Sequence, residues 1–160
     1  MTIKIGDRMP EGSFGVMGEE GPTQISSDEL FSGKKVVLFG LPGAFTPTCH
    51  RNHLPGFLEN IDVIKEKGID AVACLSVNDV FVMHAWGKSV GANGKILMLA
   101  DGNAAYTKAL GLELDATGFG MGVRSQRFAL VAEDGKVTHL FVEQPGEFRV
   151  SSAESVLAAI

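Results

Sequence analysis

The stretch that most restricts the fold is Val36–Phe57, an apolar run, then a turn broken by Pro and Gly, then a helical period. Val36-Val37-Leu38-Phe39 reads as a buried strand, while Leu54, Phe57, Leu58, Ile61 and Ile64 recur at helical spacing. Between them lies LPGAFTPTCH. Pro42 and Gly43 end the strand, Thr46 is a good N-cap, and Pro47 suits the first helical position. A buried strand that feeds directly into a helix is a βα unit. Its loop lies beyond the carboxyl end of a strand, where open α/β sheets place their sites.

This start puts Cys49 in the first helical turn, where backbone N–H groups are unpaired and the helix dipole favours negative charge. The thiolate is the nucleophilic form of cysteine, and helix N-termini and nearby cations favour it. Thr46 Oγ is expected within hydrogen-bonding reach of the sulfur. His50 follows directly and either adds positive charge or faces solvent. The competing reading is an inert core cysteine, since free cysteines are among the most buried residues. The Thr-Pro-Thr start favours the reactive one.

Pro42, Thr46 and Cys49 fit P-x-x-x-T-x-x-C, embedded here in PGAFTPTC and HLPGF. The surroundings resemble the type II peroxiredoxins of plants and bacteria and the animal peroxiredoxin-5 group. The resemblance continues through CLSVNDVFVMHAWGK (Cys74–Lys88), LADGNAAYTKALGLELD (Leu99–Asp115), RSQRFAL (Arg124–Leu130) and VSSAESVL (Val150–Leu157). It implies a thiol peroxidase with Cys49 as the attacking residue, supported by Thr46, Pro42 and one arginine. Two arginines compete for that role. If Arg124 through Val131 is one strand, Arg124 and Arg127 point to opposite sides. The resemblance selects Arg124 and leaves Arg127 as a solvated surface charge.

Along the rest of the chain, residues 1–25 read as loops with one or two short strands, and Ser26–Glu29 caps a single helical turn near Phe31. The helix from Pro47 is expected to run to Lys67, stop at Gly68 and kink at Pro55. His53 reads as a polar or packing residue. Ile69–Val77 fits a central parallel strand covered on both faces. Cys74 lies in it, either as a core residue or as a resolving cysteine able to bridge Cys49. The second role needs the strand to open, because disulfide Cα atoms must approach within about 7 Å. The C-terminal resolving cysteine of some relatives is replaced by Val150-Ser151-Ser152. A one-cysteine cycle with an external thiol is therefore expected.

Asn78 or Asp79 caps a helix to about Val90, Gly94–Ala100 reads as a strand, and Ala104–Leu110 as a short helix. Ala116–Val123 is a glycine-rich loop that does not open a helix, which argues against a phosphate cradle and for a loop over a site. Asp134-Gly135 predicts a hairpin turn, and Ser151 or Ser152 caps the last helix. The order predicts one domain over residues 1–160, an α/β sandwich around a mixed sheet of the thioredoxin-like type. CHRN at the site lacks the C-x-x-C of dithiol carriers.

With 160 residues, 45% of them hydrophobic, the chain can bury a real core. A net charge of −5 argues against nucleic acid and anionic membranes as partners. No apolar run is long enough to span a membrane, and the N-terminus reads as no signal peptide. Two cysteines without a secretory signal point to reduced thiols and a cytoplasmic location. No cofactor and no metal are expected. The resemblance implies hydrogen peroxide or an organic hydroperoxide as substrate, with glutaredoxin, glutathione or thioredoxin as reductant, and a homodimer. Two other classes stay open beside it. A cysteine hydrolase needs a well-placed histidine, which sequence-adjacent His50 is not. A peroxide-sensing signalling protein or chaperone would share the first chemical step.

Overall fold

The computed structural model describes residues 1–160. The elements are β1 (Ser13–Gly18), β2 (Gly21–Ser26), α1 (Ser27–Phe31), β3 (Lys35–Gly40), a π-helical turn (Cys49–His53), α2 (Leu54–Glu59), α3 (Ile61–Glu66) and β4 (Ala71–Ser76). They continue with α4 (Val80–Val90), β5 (Leu97–Ala100), α5 (Ala105–Leu110), β6 (Glu113–Asp115), β7 (Val123–Ser125), β8 (Phe128–Glu133), β9 (Lys136–Val142) and α6 (Ala153–Ala159). Seven strands form one mixed sheet in the order β2-β1-β5-β4-β3-β8-β9. β3, β4 and β5 run parallel at its centre, and β8 joins β3 antiparallel. This is the thioredoxin-like α/β architecture expected from the element order.

The central strands read as unbroken apolar runs because both faces are covered. Val37, Phe39, Val72 and Cys74 pack on one side with Leu54, Phe57, Ile61, Ile64 and Trp86, whereas Val36, Leu38, Ala73 and Leu75 pack on the other with Phe14, Leu30, Phe31 and Tyr106. Local signals closed where the chemistry predicted. Ser26 and Glu29 form a reciprocal capping box on α1, Asp79 accepts from the Val82 N–H at the start of α4, and Ser152 caps α6. Asp134 and Gly135, at φ 49° and 76°, make the two-residue turn between β8 and β9.

Two expectations need correction. The helix after Pro47 is not one rod kinked at Pro55. It widens into the π turn, where the Leu54 N–H reaches the Cys49 carbonyl, and it breaks at Asn60. Pro55 has no N–H to give and crowds the carbonyl four residues back; the wider π turn accommodates it, so the bend falls later. The second correction concerns Arg124–Val131, which is not one strand. β7 ends at Ser125, where its residues pair with β6 in a separate small hairpin, and β8 starts only at Phe128. Gln126 and Arg127 form the step between two sheets, so strand alternation does not govern which way Arg127 faces.

Candidate active site

The site loop leaves β3 at Gly40, which has no room for a side chain: a Cβ there would run into the Phe128 ring. The Asn78 carboxamide oxygen accepts the Ala44 N–H (3.0 Å) and the Ser76 hydroxyl (2.7 Å), fastening the loop to the end of β4. Phe45 adopts a left-handed conformation, φ 62°, unusual for an aromatic residue, and its ring lies beside His50 and Trp86. The Thr46 carbonyl accepts the His50 N–H at 2.8 Å and so begins the helix, with Pro47 in the first helical position. Its hydroxyl donates to the Gly43 carbonyl at 2.6 Å. Thr46 is thus the N-terminal residue expected, but its proton is engaged with the loop instead of the sulfur.

Cys49 is fully buried, and its Sγ accepts a hydrogen bond from Arg127 Nη2 at 3.1 Å. The arginine on the sulfur is therefore Arg127 and not Arg124. Arg127 is half-buried, with its guanidinium carbon 5.8 Å from the centre of the Phe148 ring, so it is no solvated surface charge. Its Nη1 donates to His53 Nδ1 at 3.0 Å. Arginine has only donors, so His53 Nδ1 must carry the lone pair and Nε2 the proton. That proton goes to the Ser151 carbonyl, 3.0 Å away. Burial, followed by the Arg127 charge, lowers the His53 pKa to about 3, against partial opposition from the Ser151 contact and Glu143. His53 is thus a neutral imidazole that aims Arg127 at Cys49. His50 plays no such part: its Nδ1 accepts the Trp86 indole N–H at 2.9 Å.

The arrangement places a sulfur at a helix start with a fixed cationic donor on it and no histidine bonded to it. That suits nucleophilic attack on a neutral, polarisable bond better than hydrolysis, which needs a histidine bonded to the cysteine. Comparison with known proteins agrees. The chain matches the Redoxin family over residues 4–157. It is 51% identical to peroxiredoxin-2B of Arabidopsis thaliana over 159 residues, covering 99% of this chain and 98% of that one. The chain belongs to the peroxiredoxins. Among solved structures it resembles reduced Prx3 from Vibrio vulnificus in complex with hydrogen peroxide, with TM-score 0.95, 52% identity and 99% of each chain covered. Peroxiredoxin 5 from Alvinella pompejana matches at TM-score 0.85 and 34% identity, covering 98% of this chain and 97% of that one. The type II and peroxiredoxin-5 resemblance holds over the whole chain, and the activity is thiol-dependent reduction of peroxide.

In this peroxiredoxin Arg124 stands beside the site without touching the sulfur. Its Nε donates to the Met121 carbonyl (3.0 Å) and its Nη1 to the Pro42 carbonyl (3.4 Å). It ties the glycine-rich loop to the site loop across Gly43, where a Cβ would meet Nη1 at 2.9 Å. Pro42, Thr48 and Arg127 line a cavity of about 270 Å³ that continues along Leu114, Gln126 and Glu143. A cleft of about 340 Å³ beside Arg8, Ser26 and Asp134 contains no cysteine or histidine and lies away from this chemistry. Cys74 is buried in the middle strand, paired with Phe39 on one side and Met98 on the other. Burial pushes its thiol up and the neighbouring Cys49 adds to that, against a smaller pull from Arg127. Both cysteines are free. Sequence reasoning missed Arg127 and His53 as members of the site. The Gln126-Arg127 step directly before an apolar run, as the last polar point ahead of β8, was the signal for the first.

Proposed function

We propose that Cys49 is the peroxidatic nucleophile, working with Arg127, Thr46 and Pro42, and that an external thiol closes the cycle. The single observation that carries the reading is the 3.1 Å contact from Arg127 Nη2 to Cys49 Sγ. A guanidinium on the sulfur supports the thiolate and holds rigid donors at the point where charge moves during the reaction. Thr46 Oγ has its own proton committed to Gly43 and so can only accept. It takes the hydroperoxide O–H and presents the terminal oxygen to the sulfur. The sulfur lone pair forms an S–O bond as the O–O bond breaks. Sulfur is oxidised by two electrons to the sulfenic acid, and the leaving alkoxide or hydroxide takes a proton from solvent. Pro42 covers the cavity wall and limits water. Arg124, in contact with Pro42 and Met121, positions the two loops.

The sulfenic acid is then reduced by glutaredoxin with glutathione, or by thioredoxin. The buried Cys74, held between two strands, favours such an external partner over an internal one. Half-exposed Phe45, 50% accessible, and Phe81 at 63% support a homodimer that covers the rim of the site. Sedimentation of wild type against a Phe45→Ala/Phe81→Ala variant tests that assembly. Two free thiols suit a reducing compartment, and we place the protein in the cytoplasm; fractionation with an antibody tests this.

Stopped-flow oxidation of the reduced protein by hydrogen peroxide and by tert-butyl hydroperoxide, with intact mass as readout, tests the chemistry. Wild type gains one oxygen, and glutathione removes it. Cys49→Ser is inert, and Arg127→Ala is slower by about 100-fold, the scale for loss of one preorganised donor. Oxidation of Arg127→Ala at the wild-type rate would remove the arginine from the mechanism.

A further inference from the structure

Glu143 follows β9 and takes no part in the chemistry just described, yet it is only 6% exposed. Its carboxylate sits in a nest of donors. Oε2 accepts the N–H groups of Arg149, Val150 and Ser151, each at 2.8 Å, and the Ser151 hydroxyl at 2.7 Å, while Oε1 lies 2.8 Å from the Arg149 N–H. Successive N–H groups turned toward one anion form a rigid loop, because removing the anion leaves all of them unpaired. That loop ends at Ser151, whose carbonyl holds the His53 Nε2 proton. The same Glu143 uses its own backbone N–H to bond the Arg127 carbonyl at 2.9 Å. One residue therefore grips the arginine from behind and fixes the acceptor that sets the tautomer of its histidine partner.

We propose that Glu143 is a positioning residue for the peroxidase, acting through the 149–151 loop and His53 to keep Arg127 on Cys49. The proposal rests on the peroxidase reading of Cys49. It needs a carboxylate at this position, because an oxygen that takes four donors at once is served by anionic charge, and an amide would turn its N–H₂ group toward the Arg149 N–H that Oε1 now accepts at 2.8 Å. Although burial pushes the Glu143 carboxyl up, the Ser151 hydroxyl and the N–H groups of Arg149, Ser151 and Val150 outweigh it and hold it below the ordinary carboxylate value. The anion is thus the form that the loop stabilises. With the loop loosened, the Ser151 carbonyl leaves His53 Nε2, the ring is free to carry its proton on Nδ1, and a protonated Nδ1 repels Arg127 Nη1.

The test is a double-mutant cycle with a spectroscopic arm. Glu143→Gln is expected to slow Cys49 oxidation by hydrogen peroxide about tenfold, as for one lost charge-assisted bond. In a His53→Ala background the same substitution is expected to change the rate by less than about twofold, because the path is already cut. ¹⁵N spectra of histidine-labelled wild type are expected to show His53 protonated at Nε2 and bare at Nδ1, and Glu143→Gln is expected to show a tautomer mixture. A Glu143→Gln protein with an unchanged His53 spectrum, or with a rate loss that multiplies that of His53→Ala, overturns the proposal, whatever its stability. If Glu143→Gln does not fold, Glu143→Asp, which keeps the charge on a shorter arm, carries the same readouts with a smaller loss in the same direction. A wild type that fails to reduce peroxide would defeat the peroxidase reading, while the nitrogen spectra would still judge the relay.

Discussion

Acidification should destabilise this protein through His53 first, and the size of that effect follows from its environment. Its ordinary value is 6.5, and in the folded chain it is lowered to about 3, first by burial and then by Arg127. Between those two values the unfolded chain binds a proton that the folded chain refuses. Stability therefore rises with pH through this window and is lost on acidification. Going from about pH 7.5 to about pH 5 costs about 2 kcal/mol, taking 1.36 kcal/mol per tenfold in proton activity below the unfolded value. Glu143 works in the same direction but lower down. Its stabilisation is complete above the ordinary carboxylate value and disappears only as pH falls through its depressed folded value. The interval from pH 7.5 to 5 thus separates the His53 effect from that of Glu143. Urea unfolding at both pH values, at fixed protein concentration and with thiols reduced, gives the difference in wild type. His53→Gln can accept from Arg127 and donate to Ser151 without titrating, so it should flatten the slope by about 2 kcal/mol. Equal slopes in wild type and His53→Gln would refute the buried neutral imidazole, and with it the assigned direction of the Arg127 bond.

Other outcomes follow from individual contacts. Arg124→Ala removes two bonds to loop carbonyls but none to the sulfur, so peroxide oxidation should fall by no more than about tenfold, against about 100-fold for Arg127→Ala; stopped-flow traces of the two variants decide it. Arg127→Lys keeps the charge but cannot reach His53 and Cys49 together, and should recover only a small part of the lost rate. Gly40→Ala drives a methyl group into the Phe128 ring and should cost about 1–3 kcal/mol or more in urea unfolding. Trp86→Phe leaves His50 Nδ1 without its donor and should cost about 1–3 kcal/mol in urea unfolding, with oxidation of Cys49 close to wild type.

Most of the scaffold was legible because short-range chemistry and burial agreed. Central strands read as apolar runs, caps fell on Ser26, Asp79 and Ser152, and Asp134-Gly135 turned as its residue types require. Cys49, Thr46 and Pro42 converge on one loop because they lie within one βα unit, where local sequence fixes placement. Arg127 and His53 reach the site by longer routes. Arg127 comes from the far end of the chain across the gap between β7 and β8. That gap exists because Val123–Ser125 pair with β6, a long-range contact that no periodicity in Arg124–Val131 announces. His53 looks like an ordinary helix residue until the π turn rotates it inward, and its partner Ser151 is 98 residues away.

Cys74 decides what kind of cycle this site can run. Direct resolution would require its thiolate to attack the Cys49 sulfenic acid, forming an S–S bond and releasing water. Two facts oppose it. The thiol is pushed up by complete burial, so little thiolate exists to attack. It also sits in β4, hydrogen-bonded to β3 and β5 in the middle of the sheet, so it cannot shift toward Cys49 without breaking both ladders. Opening a central strand draws on most of the global stability, whereas a small external thiol needs only access to the loop. Cys74→Ser should therefore keep turnover with glutathione or glutaredoxin within about twofold of wild type, since the side chain is nearly isosteric and off the reaction path. One equivalent of peroxide should add one oxygen to both proteins. If wild type instead loses two hydrogens and Cys74→Ser does not, the two cysteines have joined. β4 then opens on the timescale of catalysis, and a dithiol reductant such as thioredoxin becomes the partner that this site requires.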